Sequence, residues 1–146
     1  MSNSYITTSI NLNERFSSMT LPRLLVIDDE PGICLAISLL LQDQYEIVTA
    51  ETAEDGLAQL NESLSLILLD LRMPGVSGYD FLDAIKTRAA NTPIAILSAM
   101  GDQRTANEVR QHGAVALIEK PFTRGELLAR IQQVLRETAA DSTVTV

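Results

Sequence analysis

The chain has 146 residues, 46% of them apolar, and a formal net charge of −8; this suits one globular domain with a single substantial core and excludes a disordered chain. Only two lysines, Lys86 and Lys120, stand in that acidic background, which argues against a basic face that grips nucleic acid or anionic membrane. One cysteine, Cys34, excludes an intramolecular disulfide and a Cys-based zinc site and fits a reducing cytoplasm, and no stretch approaches the roughly 18 apolar residues of a membrane span or the pattern of a secretory signal.

Residues 1–21 are rich in Ser, Thr and Asn without sustained periodicity and read as an N-terminal arm; Met19, just before the first strand, is an alternative start. Leu24 to Ile27 is an apolar strand running into Asp28-Asp29-Glu30. Pro31 then opens a helix to about Gln42, where a missing N–H is not needed. Tyr45 to Ala50 reads as a second strand, and Thr52 as the cap of a short helix to Asn61 that Gly56 weakens. Leu64 to Leu69 is an almost uninterrupted apolar run ending in one carboxylate, Asp70, followed by the turn residues Pro74, Gly75 and Gly78. Such a run is the pattern of a strand covered on both faces in a parallel sheet. A helix over Gly78 to about Ala89, a strand at Ile94–Leu97 ending in Ser98, and a mostly polar helix over Asp102 to Gln111 follow. A fifth strand over Ala114 to Glu119 ends at Lys120-Pro121. Thr123 and Glu126 form a capping-box pattern before the last helix, and residues 137–146 read as a polar tail or linker. Strands alternating with helices on short connections predict an α/β fold, a parallel sheet wrapped on both faces.

The strand ends carry the chemistry, and open α/β sheets place ligands there. The first offers Asp28 and Asp29, the third Asp70, the fourth Ser98 and the fifth Lys120. Two like charges about 5 Å apart repel by roughly 3 kcal/mol at an effective dielectric near 20, so three gathered carboxylates call for a cation. Oxygen ligands without nearby His or Cys point to Mg²⁺. A carboxylate beside a metal and a lysine can act as a nucleophile toward a phosphoryl group, with Ser98 donating a hydrogen bond to a phosphoryl oxygen. A phosphatase with an Asp nucleophile would need a second acid two residues on, where Arg72 stands. A dinucleotide site would need a glycine-rich turn after the first strand, and a P-loop is absent.

Asp28-Asp29, Asp70 with its Met-Pro-Gly-x-x-Gly loop, Ser98-Ala99 and Lys120-Pro121-Phe122 resemble the receiver domain of bacterial two-component response regulators, over about residues 22–136. The resemblance implies a flavodoxin-like sheet of order 2-1-3-4-5. It implies Asp70 as acceptor of phosphate from a histidine kinase or phosphotransfer protein. Asp29, Asp70 and the Arg72 backbone carbonyl would ligate Mg²⁺, Asp28 would act largely through water, and Ser98 and Lys120 would meet the phosphoryl group. It further implies a cytoplasmic signalling protein that is no enzyme beyond its own phosphorylation and slow self-dephosphorylation, in a family that often dimerises near the last helix. The output partner is left open, with no direct nucleic-acid or membrane contact expected. One departure is Leu117, where the family usually carries Tyr or Phe. It leaves room for an alternative, a receiver-like interaction module working without phosphorylation. Arg72 and Met100 are both bulky at positions associated with phosphate lifetime, which suggests slow self-hydrolysis. His112 reads as a helix-end residue and Cys34 as core packing.

Overall fold

A strand that is apolar at every position is stable only if both its faces are covered, and the computed structural model, described over residues 20–144, is built around that requirement. Its elements are β1 (Arg23–Ile27), α1 (Pro31–Leu41), β2 (Glu46–Ala50), α2 (Ala53–Ala58), β3 (Leu64–Asp70), α3 (Gly78–Arg88), β4 (Ile94–Ser98), α4 (Gln103–Gln111), β5 (Ala116–Glu119) and α5 (Arg124–Val144). The strands form one parallel sheet in the order β2-β1-β3-β4-β5, the order expected. The arm read over residues 1–21 lies outside the described residues except for Thr20 and Leu21.

Period-2 alternation divides the strand residues between two cores. Leu24, Val26, Leu66, Leu68, Ala95, Leu97, Ala116 and Ile118 pack against α1 and α5 through Ile37, Leu41, Leu127 and Ile131. Leu25, Ile27, Ile67, Leu69, Ile94 and Ile96 point the other way, against Phe81, Leu82 and Ile85 of α3 and Val109 of α4. β1, β3 and β4 are buried along almost their whole length, whereas β2 lies at an edge and buries only Ala50 fully.

Local chemistry sets the boundaries. α1 begins with Pro31 at its first position, α2 is capped by the Thr52 hydroxyl accepting the Asp55 amide, and α4 by the Asp102 carboxylate accepting the Thr105 amide. The Thr123 hydroxyl accepts the Glu126 amide while the Glu126 carboxylate accepts the Thr123 amide, a reciprocal pair that starts α5. Three elements differ from expectation. α2 stops at Ala58, where the ladder tightens: the Gln59 amide is shared with the Gly56 carbonyl and the Leu60 amide bonds to Leu57, three residues back instead of four. β5 starts at Ala116, after Gly113 takes a positive φ of 95° to leave α4. α5 continues through Val144, so the segment read as a polar tail is helical as far as it is described.

Gly78 opens α3 where the β3–α3 loop folds back on itself. A Cβ there would run into the Leu71 carbonyl oxygen and lie 2.8 Å from the Leu71 Cβ. Backbone cannot yield as a flexible side chain does. Gly78→Ala is expected to destabilise the fold by about 1–3 kcal/mol, read as a lower urea midpoint at unchanged m-value.

Candidate functional site

The same alternation that sorts the core decides which side chains meet beyond the strand ends. In β1 the α1/α5 side takes Leu24, Val26 and then Asp28. In β3 it takes Leu66, Leu68 and Asp70, and in β5 Ala116, Ile118 and then Lys120. Two carboxylates and one ammonium are thereby delivered to one side of the sheet edge. Their geometry is close and nearly symmetric. The Asp28 Oδ1 accepts the Glu30 amide at 2.9 Å, and the Asp70 Oδ1 accepts the Arg72 amide at 2.8 Å. Each aspartate is thus clamped by the backbone two residues ahead, and each presents Oδ2 to Lys120. The Lys120 Nζ donates to Asp28 Oδ2 at 2.8 Å and to Asp70 Oδ2 at 3.2 Å.

Asp28 is fully buried and Asp70 nearly so. Burial raises the Asp28 pKa above the ordinary carboxylate value, against the opposing pull of Lys120 and the Glu30 amide. Burial also works against the Lys120 charge, but the hydrogen bond and charge of Asp28, joined by Asp70, outweigh it and hold the ammonium above its usual value. Beneath the pair, the Cys34 thiol donates to the Asp28 carbonyl at 3.4 Å. Burial pushes that thiol up to about 11, so it stays an unreactive packing group.

Glu30 joins the cluster. Its Oε1 lies 3.8 Å from Lys120 Nζ, and one carboxylate oxygen each from Asp28, Glu30 and Asp70 all fall within 4.8 Å of one another. Sequence reasoning passed over Glu30; its signal was its place as the third consecutive acid after β1. Asp29, by contrast, has the opposite strand parity. It lines a neighbouring cleft of about 480 Å³ with Glu51, Thr52, Glu54, Met73 and Pro74 and lies outside the close group. Three carboxylates against one ammonium leave two negative charges at the edge, and the donors are all hard oxygens. That set fits a divalent cation such as Mg²⁺.

Ser98 ends β4 with the parity of Ile94 and Ile96, on the α4 side. Its hydroxyl accepts the Met100 amide at 3.0 Å, which leaves the hydroxyl proton for another acceptor, and its carbonyl accepts the Lys120 amide at 2.7 Å. Leu117 shares that side, opposite Ile96 and half-buried against the second core. Arg72 is exposed, and its guanidinium reaches Met100 Sδ at 2.8 Å across the loops.

Residues 24–132 match the family model described as the response regulator receiver domain. The chain belongs to that family. The receiver is 35% identical over 121 residues to the transcriptional regulatory protein CpxR homolog of Haemophilus influenzae, covering 82% of this chain and 53% of that protein. It is 34% identical over 128 residues to the cell cycle response regulator CtrA of Brucella ovis, covering 84% and 55%. The chain thus spans about half the length of the curated relatives it matches. Among solved structures, the chemotaxis protein CheY4 of Vibrio cholerae superposes with a TM-score of 0.72 at 30% identity, over 79% of this chain and 99% of that one.

The receiver's buried charges depend on Lys120. Lys120→Met leaves Asp28 and Asp70 uncompensated and is expected to cost about 3–5 kcal/mol at pH 7. Burial already holds the Asp28 carboxyl above its ordinary value, and loss of the ammonium that opposes this raises it further, so the folded state binds that proton more tightly than the unfolded chain. The deficit therefore shrinks as pH falls through the folded value toward pH 4. Urea titrations of wild type and variant across that range check it; a deficit independent of pH would show that the loss is one of packing.

Proposed function

We propose that this receiver takes a phosphoryl group onto Asp70 from the phosphohistidine of a kinase or phosphotransfer protein, with Mg²⁺ bound at the acidic edge, and signals by changing the surface it offers a partner. The observation that carries the reading is the Asp70 carboxylate at the end of the central strand, backbone-clamped on Oδ1 and paired with Lys120 on Oδ2. An Asp70 oxygen attacks phosphorus, the P–N bond to the donor imidazole breaks, and its electron pair stays on the departing nitrogen. An acyl phosphate results. Lys120, already the partner of that carboxylate, follows the negative charge onto a phosphoryl oxygen, and the Ser98 hydroxyl turns its proton to another.

The bound cation would neutralise charge on the phosphoryl oxygens. Asp28, Asp29, Asp70 and the Arg72 carbonyl are the groups assigned to hold it, with Asp28 acting largely through water. Asp29, which lines the neighbouring cleft, would supply a further carboxylate oxygen from that side. Membership of the receiver family supports this assignment, and the gathered oxygens of Asp28, Glu30 and Asp70 support a divalent cation at this edge.

Leu117 is the observation that favours the second reading, an interaction module independent of phosphate. An aromatic ring there would exchange a large surface on moving inward; a leucine wedged against Ile96 and the second core has less area to exchange and no hydroxyl. Against that reading stands the assembled trio of Asp28, Asp70 and Lys120, whose buried charge a purely structural edge has no need of.

Incubation with acetyl phosphate and Mg²⁺ is expected to add one phosphoryl mass, labile to hydroxylamine, and Asp70→Asn to remain folded and take up none at that site. Equal labelling of the variant overturns the assignment. Mg²⁺ at 100 times its Kd is expected to stabilise the fold by about 2.7 kcal/mol through mass action. Asp29→Ala should lose most of that shift, and the metal-free variant should melt at or above wild type, since like-charge repulsion is relieved. Retention of the full Mg²⁺ shift would remove Asp29 from the ligand set.

A further inference from the structure

α4 is held to the body by little apolar surface. Val109 is its one buried residue, where α3 buries Phe81, Leu82 and Ile85. What fixes it instead is one turn of side chains facing α3. The Tyr79 hydroxyl donates to Glu108 Oε2 at 2.8 Å. The Tyr79 ring stacks on the His112 imidazole, with centroids 4.5 Å apart and planes at 26°. His112 Nδ1 lies 3.1 Å from Asp83 Oδ1. Tyr79 and Asp83 are four apart on α3, and Glu108 is four residues before His112, the C-cap of α4, so the two helices meet in register. Arg104, one turn before Glu108, donates to its other oxygen at 3.1 Å, which fixes the acceptor that Tyr79 uses. Burial and the Glu108 charge keep the phenol protonated as a donor.

We infer that this α3–α4 contact, with Tyr79 at its centre, is a latch that holds α4 in the unphosphorylated arrangement and must open when α4 is displaced. The chain between the acidic edge and α4 is short. The Ser98 hydroxyl accepts the Met100 amide, and Gly101 lies so close to the Glu119 side chain that a Cβ would sit 2.6 Å from its carboxyl. A pull on Ser98 therefore reaches the start of α4 within four residues. Along α4 few apolar contacts resist it, and the latch at the helix's C-terminal end supplies the resistance. The signal that opens the latch rests on the reading of Asp70 as phosphoacceptor; the latch itself does not.

Hydrogen exchange by mass spectrometry on the full chain separates the two. Without phosphorylation, Tyr79→Phe, which keeps the ring and removes the donor, and Glu108→Ala, which removes the acceptor, are each expected to speed exchange across residues 103–112 about fivefold. The double variant should add little beyond either single one, and the strands should keep their protection. Unchanged exchange over 103–112, full additivity, or an equal rise throughout the sheet overturns the latch. In the second arm, wild type carrying one phosphoryl mass from acetyl phosphate and Mg²⁺ should approach the Tyr79→Phe level over the same residues, and phosphorylation of Tyr79→Phe should add less. A phosphorylated wild type with α4 exchange unchanged overturns the inference. If no phosphoryl mass is gained, the Asp70 reading fails, and the first arm alone decides the latch.

Discussion

The rest of the structure depends on one ammonium shared between two buried carboxylates. β5 is separated from β1 in the sheet by β3 and β4, about 14 Å at ordinary strand spacing, yet the Lys120 Nζ lies 2.8 Å from an Asp28 oxygen. The long lysine stem makes the crossing possible, together with strand ends that converge as the sheet twists. It passes over the end of β4, where Ser98 and Ala99 are small. Strand order, the length of the lysine and small residues at the tip of β4 are therefore parts of one arrangement.

Much of this was legible because two rules with short range, alternation along a strand and apolar runs for doubly covered strands, determine positions that are far apart in the chain. Counting by twos from Leu24, Leu66 and Ala116 brings Asp28, Asp70 and Lys120 to one side without knowledge of the fold. The same count places Asp29 on the other side, beside Glu51 and Met73, and explains why adjacent acids in sequence are not adjacent in the cluster. Glu30 escaped because it stands in the turn before α1, where its amide is held by the Asp28 Oδ1 and a third consecutive acid reads as an ordinary loop residue. The extension of α5 escaped for another reason. A polar segment with no stripe to bury reads as a tail, but helix propagation from a packed turn needs only one new bond per residue, and the Thr138 hydroxyl bonds back to the Val134 carbonyl without interrupting it.

Parity also separates the work of the two faces. The side shared with α1 and α5 carries Asp28, Asp70 and Lys120 over a core of leucine, isoleucine and valine from two helices that are well anchored. Such packing keeps the charged groups in place, as chemistry on a clamped carboxylate requires. The side shared with α4 carries Ser98 and Leu117, and there the covering helix contributes one buried residue. A group that changes its hydrogen bond on that side meets a neighbour held mainly by polar contacts, which can be exchanged for water at small net cost. The rigid face can hold the reacting groups while the loosely held face moves.

Leu117 takes its significance from this asymmetry. In β5 it stands between the two regimes: its carbonyl accepts the Arg130 guanidinium of α5 at 3.2 Å, and its side chain lies on the α4 side. The backbone is thus tied to the well-anchored face while the side chain borders the loose one. A residue so placed can relay a change only through its rotamer, and a half-buried leucine has less surface to exchange on turning than an aromatic ring. The response to a change at Ser98 then has to pass through the Ala99–Gly101 backbone into α4 rather than through β5. The polar turn between α3 and α4 becomes the element whose strength sets how far such a change travels.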